Sequence, residues 1–195
     1  MNIIVAICKN RGIGKNGGIP WSVKEDMKFF RNKTIGNKNN AVIMGRKTYD
    51  SLNKKLPKRD NYVISSTYSP MKKDGVFVYN DIVTATSDAI LKTPMYTDIW
   101  VIGGEQIYKW YLNANLVKDV YITNINLDVE CDSYFPILSS DFVKHHSGHM
   151  VMSKEHKILY NIDVYRNKCY NYTNPNDNKS ELLKQLDKID HFGVI

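Results

Sequence analysis

The sequence is short of the features that mark membrane-spanning or exported proteins. Its longest early apolar run, Ile3-Ile-Val-Ala-Ile-Cys8, is far too short to cross a bilayer. No basic leader or small-residue cleavage motif opens it, so a cytoplasmic protein with no membrane partner is expected. Cysteine is scarce. Cys8, Cys131 and Cys169 are widely separated and odd in number, which argues for reduced thiols in a cytosol-like compartment and against a zinc site. His145, His146 and His149 have no carboxylate or cysteine at ligand spacing. They read as a solvated loop or edge strand, and no metal is expected. Acidic charge is also in deficit: 20 Asp and Glu against 27 Lys and Arg leave a net charge of +7. The lysines form no stripe and no aromatic platform accompanies them, so a nucleic-acid partner is not expected. A basic surface attracts small polyanions and serves solubility equally well, so charge alone decides nothing.

What is present is ordinary for a single globular domain: 195 residues, 43% hydrophobic and 24% charged. Short apolar runs alternate with helical patterns. Residues 3–8, 41–44, 61–65, 76–79, 98–102 and 119–124 read as strands. Helical patterns follow at about 22–30, from Gly45 onward, at 81–92 and at 105–112. Continuous apolar strands between helices imply an α/β fold, with a predominantly parallel sheet of about eight strands and helices on both faces. Residues 157–165 alternate in polarity with no helix before them, which predicts a C-terminal antiparallel strand or hairpin. Asn171 to Lys179 reads as a polar linker. Apolar residues at 182, 183, 186 and 189 then predict a short amphipathic helix capped by Ser180, docked on its own domain, frayed or bound to a partner.

Candidate chemistry starts at Asp26. Ser22 and Glu25 have capping-box spacing, so a helix is expected to start at Ser22. Asp26 and Phe30 share a face of it, with Val23 and Met27 beside them. An acid among apolar neighbours costs free energy unless something partners it, and a buried cationic or amide-bearing ligand is one such partner. Upstream, Gly12-x-Gly14-x-x-Gly17 matches the dinucleotide fingerprint literally. Pro20 and Trp21 intervene before the helix, however, and no acid lies at the ribose-binding offset. A mobile loop over a pocket fits better, with a static tight turn as the alternative. Gly103-Gly104 lies between a buried strand and a helix, where bare backbone and helix amides suit a phosphate. Gly45-Arg46-Lys47-Thr48 repeats that arrangement with two cations and a hydroxyl. Two such sites imply a ligand with several phosphates. Ser65 and Ser66 add hydroxyl donors. Arg59 is a candidate for bidentate pairing with a carboxylate, or a plain surface charge.

In this order the pieces resemble dihydrofolate reductase over residues 1–168. They are Gly12 to Trp21, the Glu25-Asp26 helix ending in Phe29-Phe30, Val42 to Thr48, Leu56-Pro-Lys-Arg59, Val63-Ile-Ser-Ser66, Trp100 to Gly104 with Tyr108, Tyr121-Ile-Thr123, and Asp132-Ser-Tyr-Phe-Pro136. The resemblance implies reduction of dihydrofolate by NADPH, with residues 169–195 outside the domain. Asp26 would bind the pterin amide and amino groups and favour protonation of N5. Thr123 would support Asp26. Tyr108 and Trp21 would lie near the reacting rings. Ile4, Ala6, Met27, Phe30, Leu52, Leu56 and Ile102 would line the substrate pocket, and Arg59 would hold the glutamate α-carboxylate. Cofactor contacts would come from Ala6, Ile13, Gly14, Ile19, Gly45, Arg46, Lys47, Thr48, Ser65, Ser66, Ile102, Gly103, Gly104, Glu105, Gln106, Ile107 and Tyr108. Cys131 falls where relatives often carry Gly or Ser, in a loop that supports the glycine-rich one. Two rivals are a related pyrimidine reductase of riboflavin synthesis, which the Asp26 helix and Arg59 argue against, and a catalytically silent folate- or nucleotide-binding module.

Overall fold

The computed structural model describes residues 1–92, 98–170 and 175–188, the last stretch with side chains from residue 180. In chain order the elements are β1 (Asn2–Ile7), β2 (Gly12–Gly14), α1 (Lys24–Ile35), β3 (Ala41–Gly45), α2 (Arg46–Ser51), β4 (Asp60–Ile64), β5 (Met71–Lys73), β6 (Val76–Tyr79), α3 (Ile82–Lys92), β7 (Ile99–Gly103), α4 (Glu105–Asn113), β8 (Asp119–Ile125), β9 (Ser133–Tyr134), β10 (Phe142–Ser147), β11 (Val151–Met152), β12 (Leu159–Asn167) and α5 (Pro175–Asp187).

The main sheet has ten strands, in the order β10-β12-β8-β1-β7-β3-β4-β6-β5, with β11 also paired to β12. From β8 to β6 every neighbouring pair is parallel. Antiparallel strands finish both ends: β12 against β8, β10 and β11 against β12, and β5 against β6. The sheet is therefore wider than the pattern of apolar runs implies. The extra strands β5, β10 and β11 are mostly exposed, and a strand with no buried face carries no hydrophobic alternation. His145 and His146 lie on β10, at the sheet edge.

The parallel strands are apolar on both faces. Ile3, Val5, Ala41, Ile43, Ile99 and Val101 face a core completed by α3 and α4 through Ile82, Ala85, Ala89, Ile107 and Tyr111. Ile4, Val42, Met44, Trp100 and Ile102, one residue out of phase, face a second core with Phe29 and Phe30 of α1 and Tyr49 of α2 packed against it. This two-residue alternation between covered faces explains the continuous apolar runs.

Two helix starts differ from expectation. Val23, not Ser22, is the N-cap of α1, and no side chain caps the helix. Glu25 is diverted from the capping box, because its Oε1 accepts the Lys154 amide at 3.0 Å from the β11–β12 turn. Helix α5 begins at Pro175, inside the stretch read as a linker, so Ser180 lies within the helix. Proline suits a first helical turn, having no amide proton to leave unsatisfied. Leu186 is buried in the core on the α3 side of the sheet. Residues 171–174 of the expected linker, and Ile189 of the expected apolar stripe, lie outside the described residues.

Candidate active site

The C-terminal ends of β1, β3, β7 and β8 converge on the α1 face of the sheet, the edge at which open parallel sheets bind ligands. Asp26 sits in the first turn of α1, half-buried. Thr123 of β8 is 1% exposed and pairs in register with Ala6 of β1. Its hydroxyl lies near enough to the Asp26 carboxyl to favour the charged form. Burial holds the Asp26 carboxyl above the ordinary aspartate value, and the Thr123 hydroxyl pulls it back. The first turn of a helix also favours negative charge.

Helix spacing carries this face further. Phe30 and Thr34 follow Asp26 at i+4 and i+8, so the face runs about 12 Å from acid to hydroxyl. At its far end stands Arg59, only 7% exposed. Its Nη1 donates to Thr34 Oγ1, its Nε donates to Pro57 O at 3.2 Å, and its guanidinium lies 5.9 Å from the Phe30 ring centroid. Burial, with the nearby Arg31 charge, pulls its pKa down to about 10. No carboxylate among the described residues pairs with it. A buried cation without a counter-ion is costly unless a ligand supplies the anion. Asn61, fully buried, shapes the loop that presents Arg59: its side chain accepts from Leu56 N at 2.9 Å and donates to Leu56 O and Arg59 O at 2.9 and 2.8 Å. Ile4, Phe30, Leu52, Leu56 and Ile102 meet in the cluster between these ends. Ala6 and Trp21 meet in a neighbouring one, around Val23 and Tyr160. Met27 joins neither and is 53% exposed.

Two uncapped helix starts lie side by side at this edge of the sheet. Gly45 is the N-cap of α2 and Gly104 that of α4, and neither helix has a side-chain cap. The Met44↔Gly103 pairing sets the two starts side by side. Gly103 has φ +115°, and a Cβ there would stand 3.1 Å from the Tyr108 ring. A Cβ on Gly45 would stand 3.2 Å from Ile107. Bare backbone is thus required at this edge, and the unused amides of the first helical turns point outward from it. The Gly103–Gly104 peptide is cis. Thr48 is half-buried beside Gly104, while Lys47 and Gln106 are exposed. This donor set fits the diphosphate of a nicotinamide dinucleotide.

Several expected groups have other employment. Tyr108 donates its hydroxyl to Ile4 O at 3.1 Å in full burial, which raises its pKa. Ser65 Oγ accepts from Thr67 N and Tyr68 N at 3.2 and 2.9 Å, closing its own turn, while Ser66 stays exposed. Arg46 is ion-paired with Asp50 at 2.8 Å. Glu105 accepts the Tyr134 amide at 2.9 Å. The glycine-rich segment is pinned in its first half: β2 pairs with β9, and Asp132 Oδ2 accepts from Asn16 N at 2.7 Å. Ile13 and Gly14 are sheltered there, whereas Ile19 is 58% exposed. Among the described residues no group of three or more His, Cys, Asp or Glu is placed to hold a metal, and no helix is long and apolar enough to cross a membrane.

The sequence model of dihydrofolate reductase matches residues 1–167. The chain belongs to the dihydrofolate reductase family. It is 42% identical over 140 residues to the dihydrofolate reductase of Buchnera aphidicola, covering 70% of this chain and 78% of that one. Against the Schistosoma mansoni dihydrofolate reductase it is 36% identical, covering 74% and 82% of the two chains. A bifunctional dihydrofolate reductase-thymidylate synthase of Daucus carota is 36% identical over 84% of this chain, which spans 33% of that protein. Within this reductase, the sequence pattern assigned no role to Thr34 or Asn61, and none to Asp132 beyond its place in a motif. Thr34 was reachable by continuing the Asp26–Phe30 face one turn. Asn61 and Asp132 act on loops remote in sequence or in conformation, and nothing in their spacing signals it.

Two measurements test the geometry. A carboxyl with a folded-state pKa above its unfolded one binds its proton more tightly when folded, so its contribution to stability declines as pH rises through that interval. Asp26→Asn is therefore expected to raise the thermal unfolding midpoint at pH 7, with the gain vanishing below about pH 3.5; an equal gain at both pH values would contradict the burial effect. Asn61→Ala is expected to cost about 1–3 kcal/mol in urea unfolding, the penalty for stranding buried backbone groups.

Proposed function

We propose that this chain is a dihydrofolate reductase that uses NADPH to reduce 7,8-dihydrofolate to 5,6,7,8-tetrahydrofolate, with residues 1–168 carrying the activity. The observation that carries the reading is the face of α1. It has a partly desolvated acid at one end, an unpaired buried arginine docked at the other, and an aromatic and aliphatic wall between. A ligand for that face has an amide-bearing ring, a flat apolar middle and a terminal carboxylate, as dihydrofolate has.

In this reading Asp26 accepts hydrogen bonds from the pterin amide and 2-amino group. Its negative charge, in a cleft with little water, favours the proton arriving at N5. Thr123 fixes the carboxylate's orientation. Ile4, Phe30, Leu52, Leu56 and Ile102 hold the ring and the aminobenzoyl group, with Ala6 and Met27 flanking the pterin, and Arg59 binds the α-carboxylate. Bound NADPH supplies a hydride to C6. Gly45, Thr48 and residues 103–107 hold the cofactor's diphosphate and ribose, and Tyr108, Ile13, Gly14 and Ile19 border the nicotinamide. Arg46, Lys47 and Ser66 would face the adenosine 2′-phosphate, which favours NADPH over NADH, while Ser65 shapes the turn that carries Ser66. Trp21 and Ile19 exclude water when the glycine-rich loop closes.

The deciding assay follows loss of NADPH absorbance with and without dihydrofolate. Dihydrofolate-dependent oxidation is expected, and its absence would overturn the reading. Asp26→Asn is expected to lower kcat near neutral pH by about 10²-fold or more, the usual scale for an acid–base group, with NADPH affinity little changed. Arg59→Ala should act chiefly on KM for dihydrofolate, raising it about 10- to 100-fold for a lost charge-assisted bond; an unchanged KM would mean the carboxylate docks elsewhere.

A further inference from the structure

Cys8 immediately follows β1, and Cys131 precedes β9. They lie 123 positions apart in sequence, yet their Sγ atoms stand 3.8 Å apart, with Cys8 2% and Cys131 7% exposed. We propose that Cys8 and Cys131 are a reversible disulfide site that locks the base of the glycine-rich loop to the segment holding it.

The sulfurs need to close by under about 2 Å to reach a bond length of about 2.05 Å. The backbone around them already joins the two segments. Cys8 N donates to Gly12 O at 3.0 Å, and Asp132 N donates to Gly14 O at 3.0 Å. Asn10 Oδ1 accepts from both Cys8 Sγ and Gly12 N at 2.9 Å, while its amide donates to Val129 O at 3.3 Å. Gly12, the first residue of β2, has no room for a Cβ, which would collide with Cys131 Sγ. The thiols thus lie directly beneath the strand that starts the loop. These contacts are hydrogen bonds, which break and reform when a loop moves; a covalent bond at the same place does not.

The step balances with a peroxide as oxidant. One thiol loses its proton to solvent and its sulfur attacks a peroxide oxygen. The O–O bond breaks, leaving a sulfenic acid and a hydroxide that takes up a proton. The second sulfur then attacks the first. The S–S bond forms as the S–OH bond breaks, and the departing oxygen leaves as water with the second thiol's proton. Two thiols and one hydrogen peroxide give one disulfide and two waters. Burial and the neighbouring Cys8 raise the Cys131 thiol above its usual value, so oxidation should quicken as pH rises. Exposed Cys169 serves as an internal comparison.

The test uses the full chain, reduced, treated with hydrogen peroxide, alkylated, and mapped by mass spectrometry without reduction. The expected product is a Cys8–Cys131 cross-linked peptide pair, with slower deuterium uptake across residues 9–21. NADPH oxidation with dihydrofolate should fall several-fold, and dithiothreitol should reverse all three changes. Cys131→Ser should show none of them. Free alkylation of both thiols after peroxide, or a Cys169 cross-link in their place, would overturn the site. A Cys8–Cys131 bond that leaves uptake across 9–21 unchanged would overturn the lock. Only the kinetic arm rests on the reductase reading. A cross-link with slowed uptake in a protein that never oxidises NADPH supports the disulfide site and sinks the reductase reading.

Discussion

Parallel hydrogen bonding of β1 to both β7 and β8 is the constraint on which the site depends. The Ala6↔Thr123 register fixes where Thr123 stands, and Thr123 meets the Asp26 carboxyl. A slip of one residue would turn Thr123 toward the opposite core and away from Asp26. The same central strand runs out into Cys8 and the glycine-rich loop, so the ladder that positions the acid also anchors the cover above it. On its other side, β7 carries Gly103 into contact with Met44 of β3, which brings two helix starts together. Three separate parts of the site are thus consequences of one set of backbone bonds.

The energetics of the site are those of incomplete satisfaction. Asp26 is held against its preference for water, Arg59 is buried without a counter-ion among the described residues, and two helices begin on glycine with no side-chain cap. Each arrangement costs stability in the isolated chain and is relieved by a ligand of matching chemistry. The cores on either side carry that cost: both faces of the parallel strands are sealed by aliphatic and aromatic side chains. Two polar side chains that serve the architecture are well partnered, although the Trp100 indole nitrogen is buried in the core without a partner among the described residues. Asn61 uses both ends of its amide, and the Tyr108 hydroxyl is committed to a β1 carbonyl.

Local pattern carried much of this into the sequence. The six parallel strands were legible because strands buried on both faces are apolar without interruption. The two strand–glycine–helix corners were legible because a glycine between a continuous apolar run and a helical pattern stands out locally. The edge strands β5, β10 and β11 were not, since exposed residues leave no periodic trace. The start of α1 at Val23 differs from the capping pattern because capping chemistry competes with distant partners: Glu25 bonds to Lys154, 129 positions away. Residue type also misled at Ser65, whose hydroxyl closes its own turn.

By itself, the order of residues determined the fold class, the helix face that carries Asp26 and Phe30, and the two strand–glycine–helix corners, because each rests on neighbours within a turn or a strand. Only the tertiary structure decided that Arg59 docks on Thr34 at the far end of the Asp26 face. It alone paired the loop at Gly12 with Tyr134 and brought Cys8 against Cys131. These contacts join segments that chain connectivity leaves free to be anywhere, and sheet register, not local preference, holds them together.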